Sequence, residues 1–272
     1  MKNKGRWNLP VLLGAAAVLL AAGCGENGTG PAQIKKGLEE EVRDEGGERI
    51  VFAGSLEGEN EEKAREMAAQ SIVRLEVEDS GTGTVYFGSG ILWDGNEEQL
   101  VIVTSGHLLK EGALPRVIFP GGKELSGETA GICAQKDMGF VTVPVSLLEK
   151  EDQNAAVVSL HQRIFDTLDQ SSRLLVLGCS ENGIGDQFRT GTLKEKSWYR
   201  EEFGADIMVL ECESRPGMSG GGVFDCYGNL VGMVGGGSGS NTAAFSMETV
   251  NEGYEEIFGV KRNTEEYRPG AG

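Results

Sequence analysis

Ser219 stands in Arg215-Pro216-Gly217-Met218-Ser219-Gly220-Gly221, with glycines on both sides. Such a stretch can bend tightly and aim successive backbone N–H groups at one point. That arrangement stabilises the negative oxygen that develops when a hydroxyl attacks a carbonyl. A serine hydroxyl is a weak nucleophile and needs a neighbouring base, itself oriented by a third group. The chain has only 2 histidines, so the base is His107 or His161. His107 closes the apolar run Val101-Ile102-Val103-Thr104-Ser105-Gly106-His107, where small residues leave the imidazole room. Asp137 opens the next run, Lys136-Asp137-Met138-Gly139-Phe140-Val141, and offers a carboxylate to orient it. His161, in Ser159-Leu160-His161-Gln162-Arg163, reads as a solvated helix residue.

Chain order separates the mechanisms these residues allow. Gly217-x-Ser219-x-Gly221 also fits the nucleophile elbow of α/β-hydrolases, but that scaffold needs a histidine after the serine and none follows. Val223 to Val231 reads as strand, turn, strand rather than as the helix an elbow requires. Asp137, His161 and Ser219 in subtilisin order would need an α/β scaffold, which a strand-rich chain does not favour. The order His107, Asp137, Ser219 fits best. The competing structural roles are a turn serine at 219, a satisfied core histidine at 107 and a turn-capping aspartate at 137.

These residues must be positioned by strands. Short β-forming runs separated by Gly, Asp and Asn recur at Ile72 to Val77, Thr84 to Trp93, Leu100 to Thr104, Arg116 to Phe119 and Gly139 to Val143. A second set covers Leu174 to Leu177, Phe188 to Lys194, Ile207 to Cys212, Leu230 to Val234 and Ala243 to Ser246. Between the sets, Val157 to Leu168 reads as helical, and a last helix is expected at Thr249 to Phe258. With 42 Gly and 7 Pro, the composition suits many tight turns. The pattern predicts an all-β chain in two halves rather than alternating βαβ units.

Composition narrows the function classes. Hydrophobic residues at 39% can build a core, which excludes generic disorder. A formal charge of −17 argues against nucleic-acid binding, which runs on clustered Lys and Arg. Residues 1 to 23 read as an export signal, with basic Lys2, Lys4 and Arg6 followed by the uncharged run Val11 to Ala22. It ends in Leu20-Ala21-Ala22-Gly23-Cys24, which resembles a bacterial lipoprotein signal and makes Cys24 the lipidation point; Ala21 replaces the usual leucine. An ordinary cleaved signal peptide is the alternative. The expected location is outside the cell membrane, anchored through lipid. Glu-rich residues 24–65 are expected to form an acidic tether, with a short amphipathic helix as the alternative, followed by a folded domain at 66–262 and a polar tail at 263–272. No Cys-x-x-Cys occurs, so no metal site is expected, and Cys133, Cys179, Cys212 and Cys226 allow three full pairings or none. Gly23 to Gly28 matches Gly-x-Gly-x-x-Gly but follows no strand, so no dinucleotide or other cofactor is expected.

Four ordered pieces together carry a resemblance: Gly88-Ser89-Gly90, Thr104-Ser105-Gly106-His107, Asp137-Met138-Gly139 and Pro216-Gly217-Met218-Ser219-Gly220-Gly221. Across residues 66 to 260 the chain resembles the trypsin-like serine peptidases, most closely the bacterial HtrA/Deg-like branch. The resemblance implies two antiparallel six-stranded β-barrels with a short C-terminal helix. It implies His107 and Asp137 on the first barrel, Ser219 on the second, and an oxyanion hole of the Gly217 and Ser219 N–H groups. It also implies protein or peptide substrates cleaved through an acyl-enzyme. Met218 stands where relatives carry Asp or Asn, which removes the partner for a freed N-terminal amine. Ser105-Gly106 replaces the usual Ala-Ala or Asn-Ala. The chain ends too soon after the second barrel for a PDZ domain of about 90 residues. The pocket for the residue before the cut aligns with Glu213 and with Gly235, Gly236 and Gly237. Glu213 at the base would favour Lys or Arg, whereas HtrA-like relatives favour small aliphatic residues, and the latter is the expectation. The alternative function is a non-catalytic peptide-binding or sensory lipoprotein on the same fold.

Overall fold

The computed structural model describes residues 52–79, 81–109, 113–148, 155–158, 161–163, 167–262 and 265–267. Cys24, the signal and most of the tether lie outside these residues. The chain enters through helix α1 (Glu61–Ala69) and then builds β1 (Ile72–Asp79), β2 (Thr84–Gly95), β3 (Gln99–Thr104), β4 (Arg116–Ile118), β5 (Glu124–Ser126), β6 (Glu128–Ile132) and β7 (Gly139–Pro144). A short β8 (His161–Arg163) follows. The second half comprises β9 (Arg173–Gly178), β10 (Gln187–Arg200), β11 (Ala205–Leu210), β12 (Gly222–Asp225), β13 (Leu230–Ser238) and β14 (Asn241–Ser246). Helix α2 (Met247–Phe258) and β15 (Glu265–Tyr267) end the described chain.

The second half is a closed six-stranded antiparallel barrel in the order β10-β11-β14-β13-β12-β9. The first half is a seven-segment sheet in the order β5-β4-β1-β2-β3-β7-β6. Its two outer members are consecutive in the chain and separated only by Gly127. A Cβ at Gly127 would come within 2.5 Å of Val141 Cγ1 on β7 and 3.2 Å of Val117 Cγ2 on β4. β5 and β6 are thus two arms of one bent strand, which brings the edges of the sheet together and makes six strands of seven segments.

Strand periodicity explains why the runs are apolar on both faces. Leu174 and Val176 join the cluster inside the second barrel, while Leu175 and Leu177 join the layer shared between the barrels and helices. On β3, Ile102 faces the first barrel's interior and Val101 and Val103 face the shared layer. Side chains alternate across a strand, so burial of both faces requires uninterrupted hydrophobic runs.

Two expectations change. The helix expected over Val157 to Leu168 is not seen among its described residues: Val157 bridges to Phe52, and residues 161–163 form a strand that pairs in parallel with β15. Long-range pairing here overrides local propensity. Of the stretch expected as a tether, only residues 52–65 are described; they bond to the folded body and include the start of α1. Asn60 caps α1 by accepting from the Lys63 N–H at 3.0 Å, and Ala64 and Ala68 bury against the shared layer. Glu61 also pairs with Arg173 of β9 at 2.9 Å. The C-terminal helix appears where expected, capped by Ser246 at its start and by Gly259, with φ +71°, at its end.

Candidate active site

Antiparallel register sets the first pair. β3 and β7 align Thr104 with Gly139, so moving outward from that pair places His107 beside Asp137. Gly106 permits the approach: a Cβ there would lie 2.9 Å from the Met138 N. Asp137 holds His107 twice, accepting from its backbone N–H through Oδ1 at 2.8 Å and meeting Nδ1 through Oδ2 at 2.8 Å. With Nδ1 as donor, the neutral ring leaves Nε2 as an acceptor. The His107 side chain remains 33% exposed and Asp137 20%.

Ser219 lies half-buried in the loop between β11 and β12. The loop is a series of tight turns, in which the Met218 N–H bonds Arg215 O at 3.0 Å and the Gly221 N–H bonds Met218 O at 2.9 Å. Gly217 and Gly220 have φ of +90° and +83°, a region that disfavours side chains. A Cβ at Gly220 would strike Ser89 O at 2.1 Å and Thr104 Oγ1 at 2.5 Å. The Ser219 loop therefore rests on the end of β3, and His107 follows Thr104 by three residues. Among the described residues, the N–H groups of Gly217 and Ser219 have no acceptor, and no hydrogen bond joins Ser219 to His107. Met218 is fully buried in the second-barrel cluster.

The glycine wall lies on β13. Phe203, from the β10–β11 turn, covers it: a Cβ at Gly235 would meet the Phe203 ring at 3.0 Å and the Phe245 ring at 3.1 Å, and one at Gly236 would meet Phe203 at 3.7 Å. Gly237 abuts Ser214, whose Oγ would lie 1.9 Å from a Cβ there. Glu213 does not form an enclosed base; its side chain is 57% exposed and meets Arg215 Nη2 at 3.7 Å on the surface. Phe203 carries no local motif, and its place depends on a turn that also meets the first barrel, through the Asp137 N–H bonding Phe203 O at 3.3 Å. The described cysteines are all buried free thiols. Among the described residues, no group of three His, Cys, Asp or Glu side chains could hold a metal.

The trypsin-like peptidase domain model matches residues 88–233, more than half of the chain and the whole stretch from Ser89 to the glycine loop. Among solved structures, the HtrA-type protease AlgW with tripeptide superposes with a TM-score of 0.59 at 17% identity, covering 74% of this chain and 65% of that one. The serine endoprotease from Yersinia pestis gives 0.57 at 15% identity, covering 74% and 67%. The chain thus spans less than two thirds of the AlgW chain. No curated protein matches it. The matched domain, the paired barrels and the His107–Asp137 contact place the chain in the trypsin-like peptidase domain family.

Proposed function

We propose that this protein is an exported, membrane-tethered serine endopeptidase, with Ser219 as nucleophile, His107 as general base and Asp137 as its orienting carboxylate. The observation that carries the reading is the double hold of Asp137 on His107, at 2.8 Å to both the backbone N–H and Nδ1, which leaves Nε2 to take the Ser219 proton. Ser219 Oγ attacks the peptide carbonyl, and the N–H groups of Gly217 and Ser219 hold the oxygen as it becomes negative. The imidazolium then passes its proton to the departing amine, leaving an acyl-enzyme. Water, deprotonated by His107, releases the acid and restores the serine. Export and tethering rest on the signal at residues 1–23 and on Cys24; no helix among the described residues is long and apolar enough to cross a membrane.

The exposed, ion-paired position of Glu213 supports a preference for small aliphatic residues before the cut. A library profile dominated by Lys and Arg would overturn that preference. One observation favours the second reading, a peptide-binding lipoprotein: no hydrogen bond joins Ser219 to His107, although serine–base pairs without substrate are often loose. Fluorophosphonate labelling of the purified mature protein separates the two readings. The enzyme incorporates label into the wild type and none into Ser219→Ala. A wild type that neither labels nor hydrolyses peptide or ester substrates assigns the cleft to binding.

A further inference from the structure

Ser89 is fully buried in β2 and makes four hydrogen bonds. Its N–H donates to Ser219 O at 2.9 Å, and its carbonyl accepts from Thr104 Oγ1 at 2.6 Å. Its hydroxyl accepts from the Cys179 N–H at 2.8 Å and donates to Gly217 O at 2.6 Å. The direction is forced: a hydroxyl has one proton, Cys179 already supplies a donor, and a carbonyl can only accept.

We propose that Ser89 is the positioning residue of the oxyanion loop, fixing Gly217 and Ser219 through their carbonyl oxygens so that their N–H groups face the cleft. The inference rests on the serine-peptidase reading of Ser219. The two carbonyls it holds belong to the same residues whose N–H groups have no acceptor among the described residues. Within one residue the N–H and C=O directions are tied through φ and ψ, so anchoring the carbonyl restricts where the N–H points. Gly217 needs such an anchor because glycine at φ +90° has wide backbone freedom.

The bonds also cross between the barrels. Ser89 belongs to β2, whose Gly90 pairs with Thr104 at the end of β3, three residues before His107. The neighbouring glycines let the strand come this close: a Cβ at Gly88 would meet Leu108 Cδ1 at 2.2 Å, and one at Gly90 would meet Ile102 Cγ2 at 2.6 Å. One side chain thereby registers the oxyanion loop of the second barrel to the strand that delivers His107. Ser89 touches neither substrate nor reacting atoms and acts through the loop.

The test is the kinetics of Ser89→Ala beside wild type. Removing one oxyanion donor outright costs roughly 10²–10³ in kcat, so loosening the loop should lower kcat by about 10–100-fold with KM within about threefold. A peptide aldehyde supplies a second readout, because addition of Ser219 Oγ to its carbonyl creates an oxyanion in the same hole. Its inhibition should weaken in proportion to kcat/KM, while binding of an uncleaved product peptide stays within threefold. A role in stability alone would lower Tm and leave both ratios unchanged. Wild-type kcat and aldehyde affinity in folded Ser89→Ala overturn the proposal. Should that variant not fold, Ser89→Cys keeps a side chain of the same shape with a larger atom and a weaker donor, and an unchanged kcat there overturns it equally. If the wild type proves inactive, the peptidase reading falls by itself. A crystal structure of either variant then judges Ser89: Gly217 O turned away supports the proposal, and an unchanged loop overturns it.

Discussion

His107 and Asp137 are held by backbone as well as side chain, because the carboxylate takes the His107 N–H through one oxygen and Nδ1 through the other. Changing Asp137 to Asn keeps the shape but offers a donor toward Nδ1, which favours the wrong tautomer. Turnover should fall by about 10⁴. Ser219→Ala and His107→Ala should each lower it by roughly 10⁴–10⁶, and the double variant should be hardly worse, since the residues act as a unit. His161→Ala should change turnover little. Steady-state kinetics on one peptide substrate checks all five variants, and additive losses in the double variant would contradict a shared mechanism. Met218, fully buried, is a packing residue of the same loop. Met218→Ala should cost about 2–5 kcal/mol of stability, measured by urea unfolding, because it opens a cavity in the second barrel.

Among the elements, the N-terminal strap joins parts that are far apart in sequence. Ala53 N–H bonds Val157 O at 2.7 Å, Leu56 N–H bonds Tyr227 O at 2.9 Å and Asn60 N–H bonds Cys226 O at 2.9 Å. Helix α1 then lies on β9 and β12, with Arg65 over the Phe188 ring at 4.7 Å. At nine residues α1 is too short to be stable alone, so its cap and its buried alanines matter. Asn60→Ala removes the acceptor for the Lys63 N–H and should cost about 0.5–2 kcal/mol, read as a lowered denaturant midpoint with the slope unchanged. An unchanged midpoint would mean that the helix holds by packing alone. Helix α2 is fixed more firmly: Tyr254 donates to Asp94 Oδ2 at 2.9 Å and meets Phe140 edge to face at 5.8 Å.

For the whole molecule, the buried thiols link stability to alkaline pH. Burial pushes Cys133 and Cys179 from 9.0 to about 11, and raises Cys212 and Cys226 in the same direction. In the unfolded chain these thiols ionise near their ordinary value, while the folded chain keeps their protons. Their contribution is complete below pH 9.0 and is lost as pH rises toward about 11. Urea midpoints at pH 8, 10 and 11 should therefore fall, and a thiol reagent at pH 7 should modify the four cysteines only as the protein unfolds. Rapid labelling of the native protein would contradict their burial. Anchoring belongs to this scale too. Cys24→Ser should move the protein from membrane to soluble fraction with the barrels intact, and retention through detergent-free washing would remove the lipoprotein proposal.

The sequence by itself determined the strand-rich class, the two-part division and the C-terminal helix. Those features rest on period-two burial, capping and turn residues that act within a few positions. It also limited which residues could form a nucleophile, base and orienting acid, because two histidines and one Gly-x-Ser-x-Gly stretch leave few orders to weigh. Tertiary structure decided what depends on distant partners. Gly127 bends one strand into two arms because β4 and β7 crowd it, and nothing local marks that bend. The stretch from Val157 has helical composition, yet Phe52 and β15 give its backbone strand partners instead. Glu213 aligned with a pocket base but stands on the surface beside Arg215, while Phe203, from another turn, covers Gly235. Ser89 was visible only as a serine between glycines. Its hydrogen bonds to a loop 128 residues away arise because the two barrels meet there, and pairing across that separation is set by packing rather than by any neighbour in the chain.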